Sequence, residues 1–251
     1  MKETSKSEWQ THPIHGIRPI IEAIEAGKEI DKIFIQKGLS GDLIGQLRDL
    51  TRKKDIPLKQ VPIDKLNRIT RKNHQGVIAY IAPVSFQPLQ DAISRLEEKE
   101  APLILMLDRV TDVRNFGAIT RTAECVGADA IVIGKQGAAP VNADAVKTST
   151  GALLRVPICR EQNLKTTLQT LKENGYQAIA CTEKTSASIY EPDYTKPTVV
   201  IMGSEEDGIS DTLLKRADHL AAIPMHGKIG SLNVSVAAGI ILYEALRQRT
   251  A

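Results

Sequence analysis

Asn115 and Arg121 lie in a segment whose residue types suit phosphate binding. The segment runs from Leu107 to Ala123, follows an apolar run at 103–107 and opens a predicted helix. Asparagine is favoured at a helix N-cap, where we place Asn115. The guanidinium of Arg121 is suited to grip phosphate with two parallel hydrogen bonds. An ordinary capped helix with a surface arginine is the alternative.

A second segment, Ile201 to Ser210, combines a glycine with a run of acids. Gly203 follows a predicted strand, where the missing side chain lets a ligand approach the backbone closely. Glu205 opens a run of three acidic residues. An acidic helix N-terminus, stabilised by the helix dipole, is the alternative interpretation.

A third segment, Ile223 to Ala237, is a loop with two glycines that leads into the final predicted helix. Ser231 and Asn233 both suit the N-cap of that helix. The backbone N–H groups of a helix N-terminus point at whatever lies in front of it. A plain capped helix is again the alternative. It does not explain why Ile223-Pro-Met is followed by a long loop of small and polar residues.

Common nucleotide and metal signatures are missing. The residues from Gly227 to Ser231 do not form a Walker A loop, and no GxGxxG follows a strand. The histidines show neither HxxxH nor HExxH spacing, and the three cysteines form no CxxC pair. We therefore expect no metal and no disulfide framework, with Cys125, Cys159 and Cys181 as small buried hydrophobes.

The elements that must position these segments alternate between strand and helix. Strands are predicted at 103–107, 130–133, 176–181, 198–202 and 220–223, and helices at 115–126, 165–173 and 234–247. This alternation indicates a mostly parallel sheet covered by helices on both faces. Ligands of such sheets bind beyond the carboxyl ends of the strands, which makes the three segments candidates for a ligand site.

The N-terminal part forms a separate predicted domain. Helices are predicted at 16–26 and 42–52 and strands at 32–36 and 76–82, and a connector bounded by Pro83 and Pro88 follows. We place an N-terminal domain at 1–83, a linker with a first helix at 84–100, and the main domain at 101–251.

Charge is distributed unevenly between these parts. Residues 1–85 contain 15 basic and 10 acidic residues, whereas the remainder contains 18 and 20. Between Arg48 and Lys72, nine basic residues stand against three acidic ones. Such a patch can neutralise nucleic-acid phosphates, although a solvated helix face accounts for the charges equally well.

Composition is that of an ordinary globular protein, with 42% hydrophobic and 25% charged residues. No apolar run reaches 18 residues, and the polar segment from Met1 to Thr11 does not read as a secretory signal. We therefore expect a cytoplasmic protein.

The three segments together resemble the three motifs of the SpoU/TrmH family, within the SPOUT superfamily of RNA 2′-O-methyltransferases. Asn115-Phe-Gly-Ala-Ile-Thr-Arg-Thr-Ala matches motif 1 and Met202-Gly-Ser-Glu-Glu-Asp-Gly matches motif 2. Ile223-Pro-Met with Ser231-Leu-Asn-Val-Ser-Val-Ala matches motif 3, and Leu242-Tyr-Glu-Ala-Leu-Arg-Gln-Arg is a familiar ending. The resemblance covers residues 102–249.

The N-terminal part is similar to a ribosomal-protein-like RNA-binding domain found in RlmB-type members of the family. The similar stretches are Ile14-His-Gly-Ile-Arg-Pro-Ile-Ile-Glu-Ala-Ile and Asn73-His-Gln-Gly-Val-Ile-Ala. Those enzymes methylate a guanosine ribose in 23S rRNA, so the resemblance implies that substrate here.

The resemblance also implies a fold, a cofactor and a partner. The expected fold is α/β, a parallel-sheet SPOUT domain with a C-terminal trefoil knot, preceded by a small α/β RNA-binding domain. The expected cofactor is S-adenosylmethionine, with an adenosine pocket and neighbouring cofactor contacts at Gly203, Ile223, Met225, Ser231, Leu232 and Asn233. A homodimer is implied, in which the last helix, 234–246, packs against the partner.

The expected catalytic residues are Arg121, Asn115, Glu205, Ser231 and Asn233. The family assigns deprotonation of the ribose hydroxyl to Arg121, but a protonated guanidinium is a poor base. We therefore hypothesise that Arg121 binds the substrate phosphate and stabilises developing negative charge. Glu205 is expected to orient Arg121 or loop backbone, and Ser231 and Asn233 to position the ribose or the cofactor.

Two alternatives accompany this interpretation. The first is the same chemistry on tRNA or on another rRNA nucleotide. The second is an RNA-binding assembly factor that has lost catalysis, which the presence of all five polar site residues disfavours.

Overall fold

The structure is a computed structural model that describes residues 13–250. The segment from Met1 to Thr11, predicted not to be a secretory signal, lies outside these residues. The described residues up to Ser85 form one compact unit together with Val141–Ala143. Phe86–Pro140 and the residues from Asp144 onward form the second unit.

The first unit is a four-stranded sheet with three helices. In chain order its elements are β1 (Ile14–His15), α1 (Ile17–Glu25), β2 (Ile30–Gln36), α2 (Asp42–Lys53), β3 (Leu58–Val61), α3 (Ile63–Ile69) and β4 (Val77–Ile81). The strand order is β1-β4-β2-β3, and only β2 and β3 run parallel. The helical spacing of Ile20, Ile21 and Ile24 places them in one core with Ile33 and Ile35 of β2.

The second unit contains a six-stranded parallel sheet. Its elements are α4 (Leu89–Leu96), β5 (Leu103–Leu107), α5 (Val113–Cys125), β6 (Ala130–Gly134), α6 (Ala143–Thr148), a 3-10 turn (Ala152–Leu154), β7 (Ile158–Glu161), α7 (Leu164–Glu173), β8 (Gln177–Cys181), β9 (Thr198–Met202), α8 (Asp211–Leu214), β10 (His219–Ala221) and α9 (Val234–Thr250). The strand order is β10-β8-β9-β5-β6-β7, and every neighbouring pair is parallel.

Both faces of this sheet are covered. Ile104 and Met106 of β5 pack into a core with residues of α4 and α7. Leu103, Leu105 and Leu107 point to the opposite face and are equally buried. The predicted parallel sheet, buried on both sides, is therefore confirmed. Across residues 13–250, no helix is long and apolar enough to cross a bilayer.

The strongly apolar strands lie where the sequence predicts them, whereas short elements were missed. β5 and β9 match the predicted bounds, but no prediction covered β1, β3, β7, α3, α6 or α8. These elements have seven residues or fewer, so they show too little periodicity to be recognised. The predicted start of the helix at Asn115 was wrong, because Asp112 caps α5 by accepting from Arg114 and Asn115 N–H.

Gly117 sets how closely α5 approaches the end of α6. A Cβ atom at this position would lie 2.0 Å from Oγ1 and 2.6 Å from Cβ of Thr148. No side chain can occupy that space without displacing the backbone around Thr148. The glycine therefore fixes the position of the helix that carries Asn115 and Arg121.

Candidate functional site

A polar junction joins the three chemically suggestive segments. Nδ2 of Asn233 donates hydrogen bonds to Oδ1 of Asn115, at 3.0 Å, and to Oε1 of Glu205. The N–H of Val234 donates to the same Glu205 oxygen at 3.3 Å. Three of the five predicted catalytic residues are thus in direct contact, although Asn115 and Asn233 are 118 positions apart in the chain.

Asn233 also caps α9. Its Oδ1 accepts from the N–H groups of Ser235 and Val236 at 2.9 and 3.3 Å, so the side chain satisfies two donors that the helix leaves unpaired. Of the two residues suited to this cap, Asn233 therefore takes it. Ser231 lies two residues earlier, is exposed, and has no side-chain hydrogen bond to any of residues 13–250.

A pocket of about 510 Å³ opens beside the junction, beyond the carboxyl ends of β8 and β9. Its volume falls within the range of about 300–1,000 Å³ that is typical of small-molecule sites. The predicted cofactor residues Gly203, Ile223, Met225, Ser231 and Leu232 line it, and so does Glu205. Asn233, also predicted to contact the cofactor, borders the pocket through its bond to Glu205 but does not line it.

The pocket wall is chemically mixed. Met225 and Leu232 are apolar yet remain 39% and 38% exposed, which is typical of side chains that cover a ligand. The acidic residues Glu183, Glu205, Glu206 and Asp207 also belong to the lining. This combination suits a ligand that joins an apolar ring to positive charge.

The packing of its own loop requires a glycine at position 203. A Cβ atom there would lie 2.1 Å from the carbonyl carbon of Gly208 and 2.2 Å from the nitrogen of Ile209. The space beside Gly203 is thus filled by the backbone of its own loop. Gly203 also lines the pocket, and the close approach of a ligand to its backbone stays a prediction.

Arg121 is not brought to the pocket or to the junction. It is exposed on α5, about 9 Å along the helix axis from Asn115 at a rise of ~1.5 Å per residue. None of residues 13–250 forms a hydrogen bond or an ion pair with its guanidinium. Glu205 was expected to orient either Arg121 or loop backbone, and of these two it contacts backbone, at the N–H of Val234.

Two residues that the sequence analysis missed hold the loop after β9. Asp108 and Arg109 directly follow β5, and Asp108 is buried and accepts from the N–H of Ser210 at 2.7 Å. Arg109 donates to Asp207 and to the carbonyl of Gly208. Their position at the end of a fully apolar strand is the signal that could have revealed them.

The prediction of three small buried cysteines was wrong for Cys125, which is exposed, whereas Cys159 is buried. Cys181 is partly exposed and lines the pocket. Burial, with a smaller contribution from Glu183, raises the pKa of its thiol to about 12. The thiol is therefore protonated at neutral pH, the form of cysteine that is the poorer nucleophile.

Comparison with known proteins identifies relatives over both units. Residues 102–243 match the SpoU rRNA Methylase family, and residues 13–87 match the family described as RNA 2′-O ribose methyltransferase substrate binding. A putative TrmH family tRNA/rRNA methyltransferase of Bacillus subtilis, YacO, is 34% identical over 93% of this chain and 94% of its own length.

Solved structures agree with these matches. An AdoMet-bound rRNA methyltransferase from Sinorhizobium meliloti is 29% identical, with a TM-score of 0.61 over 94% of this chain and 87% of its own. The A. aeolicus TrmH/SpoU tRNA modifying enzyme is 38% identical, with a TM-score of 0.55 over 64% of this chain and 84% of its own.

The double role of Asn233 yields a first prediction. In Asn233→Ala we expect the free energy of unfolding to fall by about 1 kcal/mol, because the cap of α9 is lost. We also expect weaker binding of S-adenosylmethionine, because Glu205 loses its side-chain partner. Chemical denaturation and titration calorimetry measure the two effects.

Asn163→Ala is the matched control for this variant. Asn163 caps α7 in the same way, through the N–H groups of Lys165 and Thr166, but does not line the pocket. We expect the same loss of stability with unchanged cofactor affinity. Equal affinities in the two variants would contradict a role for the junction in shaping the pocket.

Proposed function

Since the chain belongs to the SpoU rRNA methylase family and is an S-adenosylmethionine-dependent RNA 2′-O-ribose methyltransferase, we propose that it methylates a guanosine of 23S rRNA. The observation that carries the choice of rRNA is the extent of the structural matches. The S. meliloti rRNA methyltransferase matches 94% of this chain, whereas the A. aeolicus tRNA modifying enzyme matches 64%. The guanosine follows from the resemblance to RlmB-type enzymes.

The pocket beside the polar junction is the proposed cofactor site. Ile223, Met225 and Leu232 supply an apolar wall for the adenine ring, and backbone near Gly203 and Ser231 supplies donors and acceptors. Glu183, Glu206 and Asp207 would offset the positive charge of the sulfonium and the ammonium groups. When bound, S-adenosylmethionine supplies an electrophilic methyl group.

The chain's own residues must orient the ribose oxygen and stabilise its negative charge. Oδ1 of Asn115 is occupied by Asn233, and none of residues 13–250 accepts from Nδ2 of Asn115, so Nδ2 can donate to the ribose. The guanidinium of Arg121 is likewise free to bind a substrate phosphate. We propose that Arg121, bound to this phosphate, stabilises the negative charge that develops during methyl transfer. Arg121 is not itself the base, and the phosphate assists the ribose hydroxyl in losing its proton.

The basic residues of the first unit are proposed to contact RNA phosphates. All nine basic residues between Arg48 and Lys72 are exposed. They are distributed over α2 and the residue after it, β3, α3 and the segment after α3, so they are not simply the solvated face of one helix. In this proposal residues 1–83 bind the RNA substrate, 84–100 form a linker with α4, and 101–251 carry out methyl transfer.

We also propose that the C-terminal segment forms the trefoil knot implied by the resemblance. The connection between β8 and β9 holds that segment at two places. Ala222 exchanges backbone hydrogen bonds with Ala187 and Ile189, and Gln248 bonds to Pro192 and Tyr194. These contacts fit a chain end that passes through the β8–β9 connection.

A homodimer formed through α9 completes the proposal. Val236 and Tyr243 are 50% and 54% exposed, and they share one side of α9 with the partly exposed Ile240. The opposite side of the helix is buried, so α9 is apolar around most of its circumference. A helix of this kind is typical of an element buried between two surfaces, here this chain and a second copy.

A methylation assay tests the proposed substrate. Purified protein, labelled S-adenosylmethionine, and either protein-free 23S rRNA or total tRNA are incubated, and 2′-O-methylated positions are mapped. We expect one guanosine of 23S rRNA to be modified. Modification of tRNA alone would overturn the rRNA assignment, and no modification of either RNA despite cofactor binding would favour an assembly factor.

Arg121→Lys tests the mechanism. Lysine keeps the positive charge but cannot form the two-pronged contact with phosphate. We expect kcat/KM for RNA to fall by about tenfold to a hundredfold, with unchanged binding of S-adenosylmethionine because Arg121 does not line the pocket. Turnover close to that of the wild type would show that the geometry of the guanidinium does not matter.

Tyr243→Glu tests the dimer. A carboxylate in the centre of an apolar interface is costly to bury, so we expect the variant to sediment as a monomer at micromolar concentration. Leu43→Glu is the control, since Leu43 is an exposed apolar residue on α2 that lies outside α9. A wild-type protein that sediments as a monomer would contradict the proposal.

A further inference from the structure

The loop of residues 204–208 forms one wall of the pocket and closes on itself. The N–H of Ser204 donates to the carbonyl of Gly208 at 3.2 Å, and the N–H of Gly208 donates back at 3.0 Å. The N–H of Asp207 donates to Oγ of Ser204 at 3.1 Å. All five residues of this 204–208 loop line the pocket, so the shape of the loop determines the shape of the site.

Arg109 grips this loop without itself lining the pocket. Its Nη1 donates to Oδ2 of Asp207 at 3.0 Å, and its Nη2 donates to the carbonyl of Gly208 at 3.1 Å. Its Nε lies 3.4 Å from Oδ1 of the buried Asp108, whose other oxygen binds the N–H of Ser210. The guanidinium therefore connects the end of β5 to the loop after β9.

The backbone of Arg109 adopts a conformation that L-amino acids rarely use. Its φ angle is +59°, in the left-handed region where glycine or asparagine is usual. A side chain other than these is retained at such a position only when the surrounding structure compensates. The bonds to Asp207 and Gly208 are the compensation that the structure provides.

The 204–208 loop is held from two sides. The junction with Asn233 binds it through Glu205, and Arg109 binds it through Asp207 and Gly208. Gly203 lies under the end of this loop. Because it has no side chain, the backbone of Gly208 and Ile209 packs directly on it. Removal of Arg109 would take from Asp207 its ion pair and from the carbonyl of Gly208 its side-chain donor.

We propose that Arg109 is a positioning residue that gives the 204–208 loop its cofactor-binding conformation. The inference rests on the proposed function, in which this pocket holds S-adenosylmethionine. Arg109 acts through Asp207 and Gly208, so its loss changes the affinity for the cofactor and the KM for it. At saturating cofactor, kcat changes much less, since Arg109 does not touch the reacting groups.

Three substitutions separate the guanidinium from the backbone strain. In Arg109→Ala we expect the dissociation constant of S-adenosylmethionine, measured by titration calorimetry, to rise about tenfold. Arg109→Lys retains the charge without the fork, and we expect an intermediate affinity. Arg109→Gly relieves the strain at φ +59°, so we expect a melting temperature above that of Arg109→Ala. We expect its affinity for S-adenosylmethionine to be no higher than that of Arg109→Ala.

Lys215→Ala is the matched control, because Lys215 is exposed and has no side-chain partner among residues 13–250. We expect wild-type affinity and stability. A dissociation constant for Arg109→Ala within about twofold of the wild type would overturn the inference, as would full recovery of affinity in Arg109→Gly. A wild-type protein that binds no S-adenosylmethionine would instead overturn the proposed cofactor site.

Discussion

The hydrogen bonds of Asn233 are the interaction on which the candidate site depends. One amide side chain caps α9, binds Glu205 and binds Asn115, and so connects the end of β9, the start of α5 and the start of α9. Each of these segments follows a different strand of the parallel sheet. The side chain has one donor group and one acceptor. All of its contacts therefore form only when the three segments are correctly placed at the same time.

Close backbone packing supplies the second constraint. Gly117 lets α5 approach Thr148, and Gly203 lets the following loop fold back onto the end of β9. Neither glycine has a φ angle in the left-handed region, so conformational freedom is not the reason for either. The protein is packed so closely at both glycines that one additional carbon does not fit. The site segments therefore keep a fixed position relative to the sheet.

Periodicity and strand burial predicted the parallel sheet and its long helices well, because a strand covered on both faces is apolar without interruption. Residue type predicted the cap at Asn233 and the loop at Gly203. The contacts across the chain could not be predicted in this way. Arg109 meets Asp207 98 positions away, and only the strand order brings the ends of β5 and β9 side by side. Of the two roles expected for Glu205, orienting Arg121 or loop backbone, the contact with Val234 fits the second.

The late position of α9 in the chain has a consequence for biosynthesis. The pocket is lined by residues up to Ala237, and α9 is tied by Arg249 to the carbonyls of Ala101 and Lys196. During translation the sheet strands emerge before the segment that completes the pocket. The complete pocket can therefore form only after the start of α9 has emerged and docked.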